Sequence, residues 1–109
     1  NDVKSRRMYD EVDAYVKGIR NDKEEMQILE ELVNKYKDNS MSVVRSMLPN
    51  MNSMDYKIIC LTLAGFSTNA ISVFTELEKS NIYNRRSRIK RRMEELPAEY
   101  RDKILANFN

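Results

Sequence analysis

The chain has 109 residues, 41% of them hydrophobic and 33% charged, with a formal net charge of +2. That length suits one domain, or a small domain with a helical appendage, and that balance suits a folded, soluble chain. With no histidine and a single cysteine, an internal disulfide, a Cys/His zinc site and a histidine general base are all excluded. Gly and Pro number two each, while Glu, Lys, Arg, Leu and Met abound, which points to an all-α fold. No apolar run approaches the roughly 18–20 residues that cross a bilayer, and no signal peptide is seen. The sequence opens at Asn1 directly on a charged helical pattern, so it is expected to be a piece of a longer protein.

The first helix is predicted over residues 3–20, with Met8, Val12, Tyr15, Val16 and Ile19 on one apolar stripe. Asn21-Asp22 supplies a break and a cap. A second helix follows over 23–37, carrying Met26, Leu29, Leu32, Val33 and Tyr36 on one face. Asp38-Asn39-Ser40 reads as a turn. A third, short helix over 41–48 holds Met41, Val44, Met47 and Leu48, and Pro49 ends it because the residue before proline is pushed out of helical conformation. Pro49-Asn50 is therefore the expected boundary between residues 1–49, a segment of amphipathic helices, and residues 50–109.

Beyond that boundary, Asn52 or Ser53 caps a fourth helix, with Asp55 in its first turn, where negative charge is favoured. Its apolar residues include Tyr56, Ile58, Ile59, Leu61 and Leu63, and Gly65 stops it. Cys60 falls inside this run and reads as a small core residue. Ser67 caps a fifth helix over 68–76, with Ile71 and Phe74 or Leu77 turned inward. Ser80 is expected to cap a sixth over 81–95. Pro97 fits the first turn of a seventh over 97–107, whose apolar positions are Tyr100, Ile104, Leu105 and Phe108.

The sixth helix holds the densest chemistry. Between Glu78 and Glu94 stand seven basic residues and no acidic one: Lys79, Arg85, Arg86, Arg88, Lys90, Arg91 and Arg92. Since the whole chain sums to +2, the other residues together carry −5. A concentrated basic helix on an otherwise acidic chain is the electrostatic footprint of a polyanion binder. At helical periodicity Ile82, Ile89, Met93 and Leu96 make a narrow apolar stripe. Asn84, Ser87, Arg88 and Arg91 face the other way with Tyr83 at their flank, and Arg86 and Lys90 lie on one shoulder, Arg85 and Arg92 on the other. A polar outward face bordered by guanidinium groups is what a major-groove reader needs, because base edges meet the face and phosphates meet its border. The competing reading, a solvated helix laced with salt bridges, normally interleaves both signs.

On these residues, 51–96 resemble the C-terminal DNA-binding domain of LuxR/NarL/GerE-class bacterial regulators, a four-helix helix-turn-helix. That class commonly reads L-T-x-R-E-x-E-V-L-x-L-x-A-x-G, then x-S-x-x-E-I-A, then T-V-K-x-H-x-x-x-I-x-x-K-L. Without a gap, Asn52 stands at the Thr, Asp55 at a Glu, Ile58 and Ile59 at V-L, Leu61 at the next Leu and Gly65 at the Gly. Ser67 and Ile71 match the Ser and Ile of the middle block, and Ile82, Ile89, Arg92 and Met93 match Val, Ile, Lys and Leu of the last. Ala70, Ser72, Asn81, Tyr83 and Arg85 depart from it, as a distant branch would. Ala-Gly-Phe-Ser and Asn-Ile-Tyr-Asn-Arg-Arg-Ser-Arg also resemble regulator domains of Bacteroidetes signalling proteins, often found behind tetratricopeptide repeats and a membrane segment.

The resemblance implies an effector domain that binds double-stranded DNA in the cytoplasm, either free or as the cytoplasmic part of a membrane-anchored regulator, with an upstream sensor region. It puts Tyr83, Asn84 and Ser87 at base-contacting positions, and the outward face adds Arg88. The expected phosphate-contacting set is Ser67, Lys79, Arg85, Arg86, Lys90, Arg91 and Arg92. In the class the last helix commonly makes the dimer contact, so Tyr100, Ile104 and Phe108 either join two copies or cover the domain's own core. Residues 1–48 lie outside the resemblance and fit a dimerisation hairpin, the tail of a sensor helix or a packed cap. No enzyme activity, small-molecule substrate, cofactor or metal is expected. The alternative function is a protein-interaction module whose basic helix docks on an acidic partner.

Overall fold

The computed structural model describes residues 2–18 and 23–108. Over those residues the chain is built of helices, in the order α1 (Asp2–Gly18), α2 (Lys23–Tyr36), α3 (Ser40–Met47), α4 (Ser53–Leu63), α5 (Thr68–Thr75), α6 (Lys79–Glu94) and α7 (Ala98–Phe108). The all-α expectation holds for these residues. The Asn21-Asp22 break, Ile19 and the side chain of Val16 lie outside the described residues.

α4 is the axle of the fold. Ile58, Ile59, Cys60, Leu61 and Leu63 are all buried, so it is apolar on every side. A helix of that kind must be surrounded, and α2, α5, α6 and α7 all pack on it. Its ends are set locally. The Asn52 side chain accepts a hydrogen bond from the Asp55 amide at 2.8 Å, a cap worth about 1 kcal/mol. At the other end Gly65, at φ +96°, donates to the Thr62 carbonyl, and Phe66 donates to that of Leu61. This pair of bonds is a Schellman closure, which needs the left-handed residue that glycine supplies without a Cβ clash.

The N-terminal helices share the core of the C-terminal ones. α1 packs on α2, α2 on α3 and α4, and α3 on α7. One buried cluster runs from Met8, Val12, Leu29 and Val33 through Met41 and Val44 to Ile58, Ile71, Ile89 and Ile104. Each such side chain contributes about 1.5–3 kcal/mol over its exposed state. Tyr9 of α1 stacks on Phe66 at 4.4 Å between ring centres, and Phe66 meets Phe74 edge-on at 5.3 Å. Pro49-Asn50 is thus a turn, with Asn50 at φ +68°, across which the core continues. The described helices before Pro49 thus pack on the C-terminal ones.

Polar contacts lock these helices in place. The Glu30 carboxylate accepts two hydrogen bonds from Arg45, at 2.9 and 2.8 Å, and the Arg45 guanidinium lies 3.7 Å from the centre of the Tyr56 ring. The Tyr56 hydroxyl donates to the Leu48 carbonyl at 2.6 Å. Asn39 takes the N-cap of α3 in left-handed conformation without a side-chain bond. The capping comes instead from the preceding helix, where Asn34 Oδ1 accepts from the amides of Met41 and Ser42.

Several boundaries differ from expectation, most of them by one or two residues. α3 runs one residue earlier, over 40–47. α6 begins at Lys79 with Glu78 at its N-cap, so Ser80 lies inside the first turn and caps nothing. The reason is the turn before it. Glu76 adopts a left-handed conformation at φ +60° and reverses the chain, while Ser72 Oγ donates to the Leu77 carbonyl at 2.6 Å. The Glu78 carbonyl is then already in place to accept from Ile82 at 3.1 Å. Pro97 precedes α7, and its carbonyl accepts from Tyr100 and Arg101.

Candidate nucleic-acid interface

α6 sits on α4, α5 and α7 through the stripe read from its periodicity: Ile82, Ile89 and Met93 are buried, and Leu96 beyond its end is half-buried. The side that faces away is open. Tyr83 is 58% exposed, and Asn84, Ser87, Arg88, Lys90, Arg91 and Arg92 are exposed with it. No side-chain hydrogen bond or ion pair to another described residue holds Arg88, Lys90 or Arg91. Arg91 and Arg92 lie in the last turn, where cations complement the helix dipole. Lys79 is exposed in the first turn, beside a shallow groove lined by Glu76, Glu78, Asn81, Asn84, Arg85 and Arg88.

Two arginines of the run are differently disposed. Arg85 is turned back toward the scaffold. Its Nη1 donates to Asp55 Oδ1 of α4 at 2.9 Å and its Nε to Asn81 Oδ1 at 2.7 Å. Arg86 reaches across to two other helices, donating to Thr68 Oγ1 at 3.1 Å and to the Phe108 carbonyl at 3.2 Å, with its guanidinium 5.6 Å from the Phe108 ring centre. Both side chains are half-buried. Arg92, though exposed, donates to the Pro49 carbonyl at 3.4 Å.

Ser67 is exposed and caps α5, its Oγ accepting from the Ala70 amide at 3.2 Å. It stands beside Thr68, the residue that Arg86 engages. The turn between α5 and α6 is held from within: Thr75 Oγ1 donates to the Ile71 carbonyl at 2.7 Å and accepts from the Leu77 amide at 3.4 Å.

Ile104 and Phe108 are buried in the chain's own core, and Tyr100 is half-buried. Of the two readings of that stripe, the core one matches their burial. As the helices stand, the side chains of Ile104 and Phe108 are not presented to a second copy. The cause is that α7 packs on both α4 and α6 and also meets α3, which encloses Ile104 and Phe108 and leaves Tyr100 half-buried.

The residues that sequence reasoning overlooked are the partners of these arginines. Asp55 reads from sequence as a first-turn acid, and nothing in the chain's local pattern signals a cation 30 residues downstream. Thr68 and the Phe108 carbonyl give no signal either. Ser72 stands where the resembled class has Ala, and that departure was the one available hint of a new hydrogen bond.

No family model, curated protein or solved structure matches the chain.

Proposed function

We propose that the chain binds double-stranded DNA through the outward face of α6, as the effector domain of a transcriptional regulator of the helix-turn-helix kind that residues 51–96 resemble. One observation carries the reading. α6 buries Ile82, Ile89 and Met93 and leaves Tyr83, Asn84, Ser87 and Arg88 exposed together, bordered by Lys90 and Arg91, with no acidic residue between Glu78 and Glu94. Such a face offers hydrogen-bonding groups to base edges and cations to the two phosphate walls of a major groove. A bidentate Arg to guanine or Asn to adenine contributes about 1–3 kcal/mol of base discrimination. The absence of large aliphatic residues from the face argues against insertion into a membrane surface. On this reading the protein works where DNA is, in the cytoplasm. No described helix is long and apolar enough to cross a membrane.

Fluorescence-anisotropy titration of a labelled duplex tests the proposal. Binding is expected to weaken with salt, log K falling against log salt with a slope of about −5 for five or six neutralised phosphates. Arg88→Ala and Arg91→Ala should each weaken binding about tenfold while leaving the far-ultraviolet circular dichroism unchanged. Unchanged affinity in both variants at low salt overturns the reading. Equal competition by an RNA duplex of the same sequence would redirect it from DNA to duplexes in general.

A further inference from the structure

The basic run is not one functional unit, and the ion pair at Asp55 divides it. Arg85 and Asp55 meet at 2.9 Å, with side chains only 21% and 16% exposed. The same guanidinium is bound by Asn81 one turn earlier on its own helix. Asp55 is itself fixed, because its amide is held by the Asn52 cap. The pair therefore joins the first turn of α4 to the second turn of α6, just under the N-terminal end of the outward face.

We infer that Asp55 and Arg85 are positioning residues for DNA binding: the pair pins α6 in its docking pose and withholds the Arg85 charge from phosphate. The inference rests on the reading of α6 as a DNA-binding face. Its physical basis is charge bookkeeping at the interface. Salt dependence counts the cations that replace condensed counterions on the phosphates. A guanidinium already matched by a carboxylate at hydrogen-bond distance adds no net charge to that count. Moving it onto a phosphate would leave the part-buried Asp55 carboxylate unpaired, which is strongly unfavourable. Among the described residues no carboxylate at ion-pair distance matches Lys79, Arg86, Arg88, Lys90, Arg91 or Arg92, so these are the cations that count toward the slope. The pairing also tightens register, since the base-facing Asn84 and Arg88 flank Arg85 on the same helix and inherit its placement.

The test measures the salt slope of duplex binding for the whole chain, its Asp55→Asn and Arg85→Gln variants and the double variant, on a mixed-sequence duplex from about 50 to 200 mM salt. Asp55→Asn keeps the capped amide and frees the guanidinium, so the slope should steepen by about 0.9. Arg85→Gln should lower affinity a few-fold through lost positioning with the slope unchanged, and the double variant should return to the wild-type slope. Urea unfolding of the four proteins should show coupling between the two sites, which registers the pair even where a single variant is less stable. A slope that flattens by about 0.9 in Arg85→Gln, or one that stays put in Asp55→Asn, overturns the inference alone. Failure of the wild type to bind duplex at low salt overturns the underlying reading, and this assignment with it.

Discussion

α2 and α6 are both long, strongly charged helices packed on α4, with 14 and 16 residues, yet they use charge in opposite ways. α2 turns two of its carboxylates into the molecule. Glu25 is buried and lies 3.7 Å from Lys57 of α4, and Glu30 grips Arg45 of α3. Its neighbours join in, as Tyr36 donates to Glu11 of α1 at 2.8 Å. α6 turns Arg88, Lys90 and Arg91 outward, with Arg85 and Arg86 directed back to the scaffold and Arg92 reaching the Pro49 carbonyl. Charge met by a partner inside the fold orients helices, whereas charge held outward in one sign costs self-repulsion that an external polyanion would relieve. The two helices thus separate a scaffold from a candidate binding face.

Perturbing the scaffold under α6 should abolish the distinction. Ile89→Ala removes a buried anchor of α6 and should destabilise the chain by about 2–5 kcal/mol, lowering the urea midpoint and duplex affinity together. Glu25→Ala acts on the α2 side alone. It leaves the Lys57 ammonium, 14% exposed, without its carboxylate, and should cost about 2 kcal/mol in urea unfolding, with the salt slope of the folded protein unchanged. If that slope moved, the charge of α2 would reach the binding face and the comparison would fail.

The effect that is smallest at neutral pH concerns Cys60, beneath α2. Burial first, and then the Glu30 carboxylate, push its thiol well above the ordinary value of 9.0, with Arg45 pulling the other way. A thiol whose folded value is raised stabilises the fold fully below the unfolded value and loses that contribution as pH climbs above it. Stability should therefore fall above pH 9.0, with Cys60 contributing about 1.4 kcal/mol per pH unit. Urea midpoints across that range in the wild type and Cys60→Ala check this: the variant should lack that part of the decline. Near neutral pH iodoacetamide should label Cys60 only after unfolding.

Much of the fold is legible residue by residue because its signals are local. Asn52 and Ser67 cap the helices they precede, and Gly65 takes the left-handed position that closes α4. The candidate face is legible for the same reason: helical periodicity alone separates buried Ile82, Ile89 and Met93 from exposed Asn84, Ser87 and Arg88. Where a local signal had a rival, it misled. Ser80 is a good capping residue, but the left-handed Glu76 and the Ser72–Leu77 bond start α6 before it.

By itself, then, the sequence determined that the chain is helical, most of where its helices begin and end, and which side of α6 is apolar. These follow from interactions spanning one or two turns, which composition and spacing encode directly. Only the tertiary structure decided that Arg85 answers to Asp55, that Arg86 ties α6 to Thr68 and Phe108, that Ile104 and Phe108 are enclosed and that Tyr9 stacks on Phe66. Each joins residues far apart in the chain, and the packing of helices around α4, which no local pattern specifies, chooses the partner.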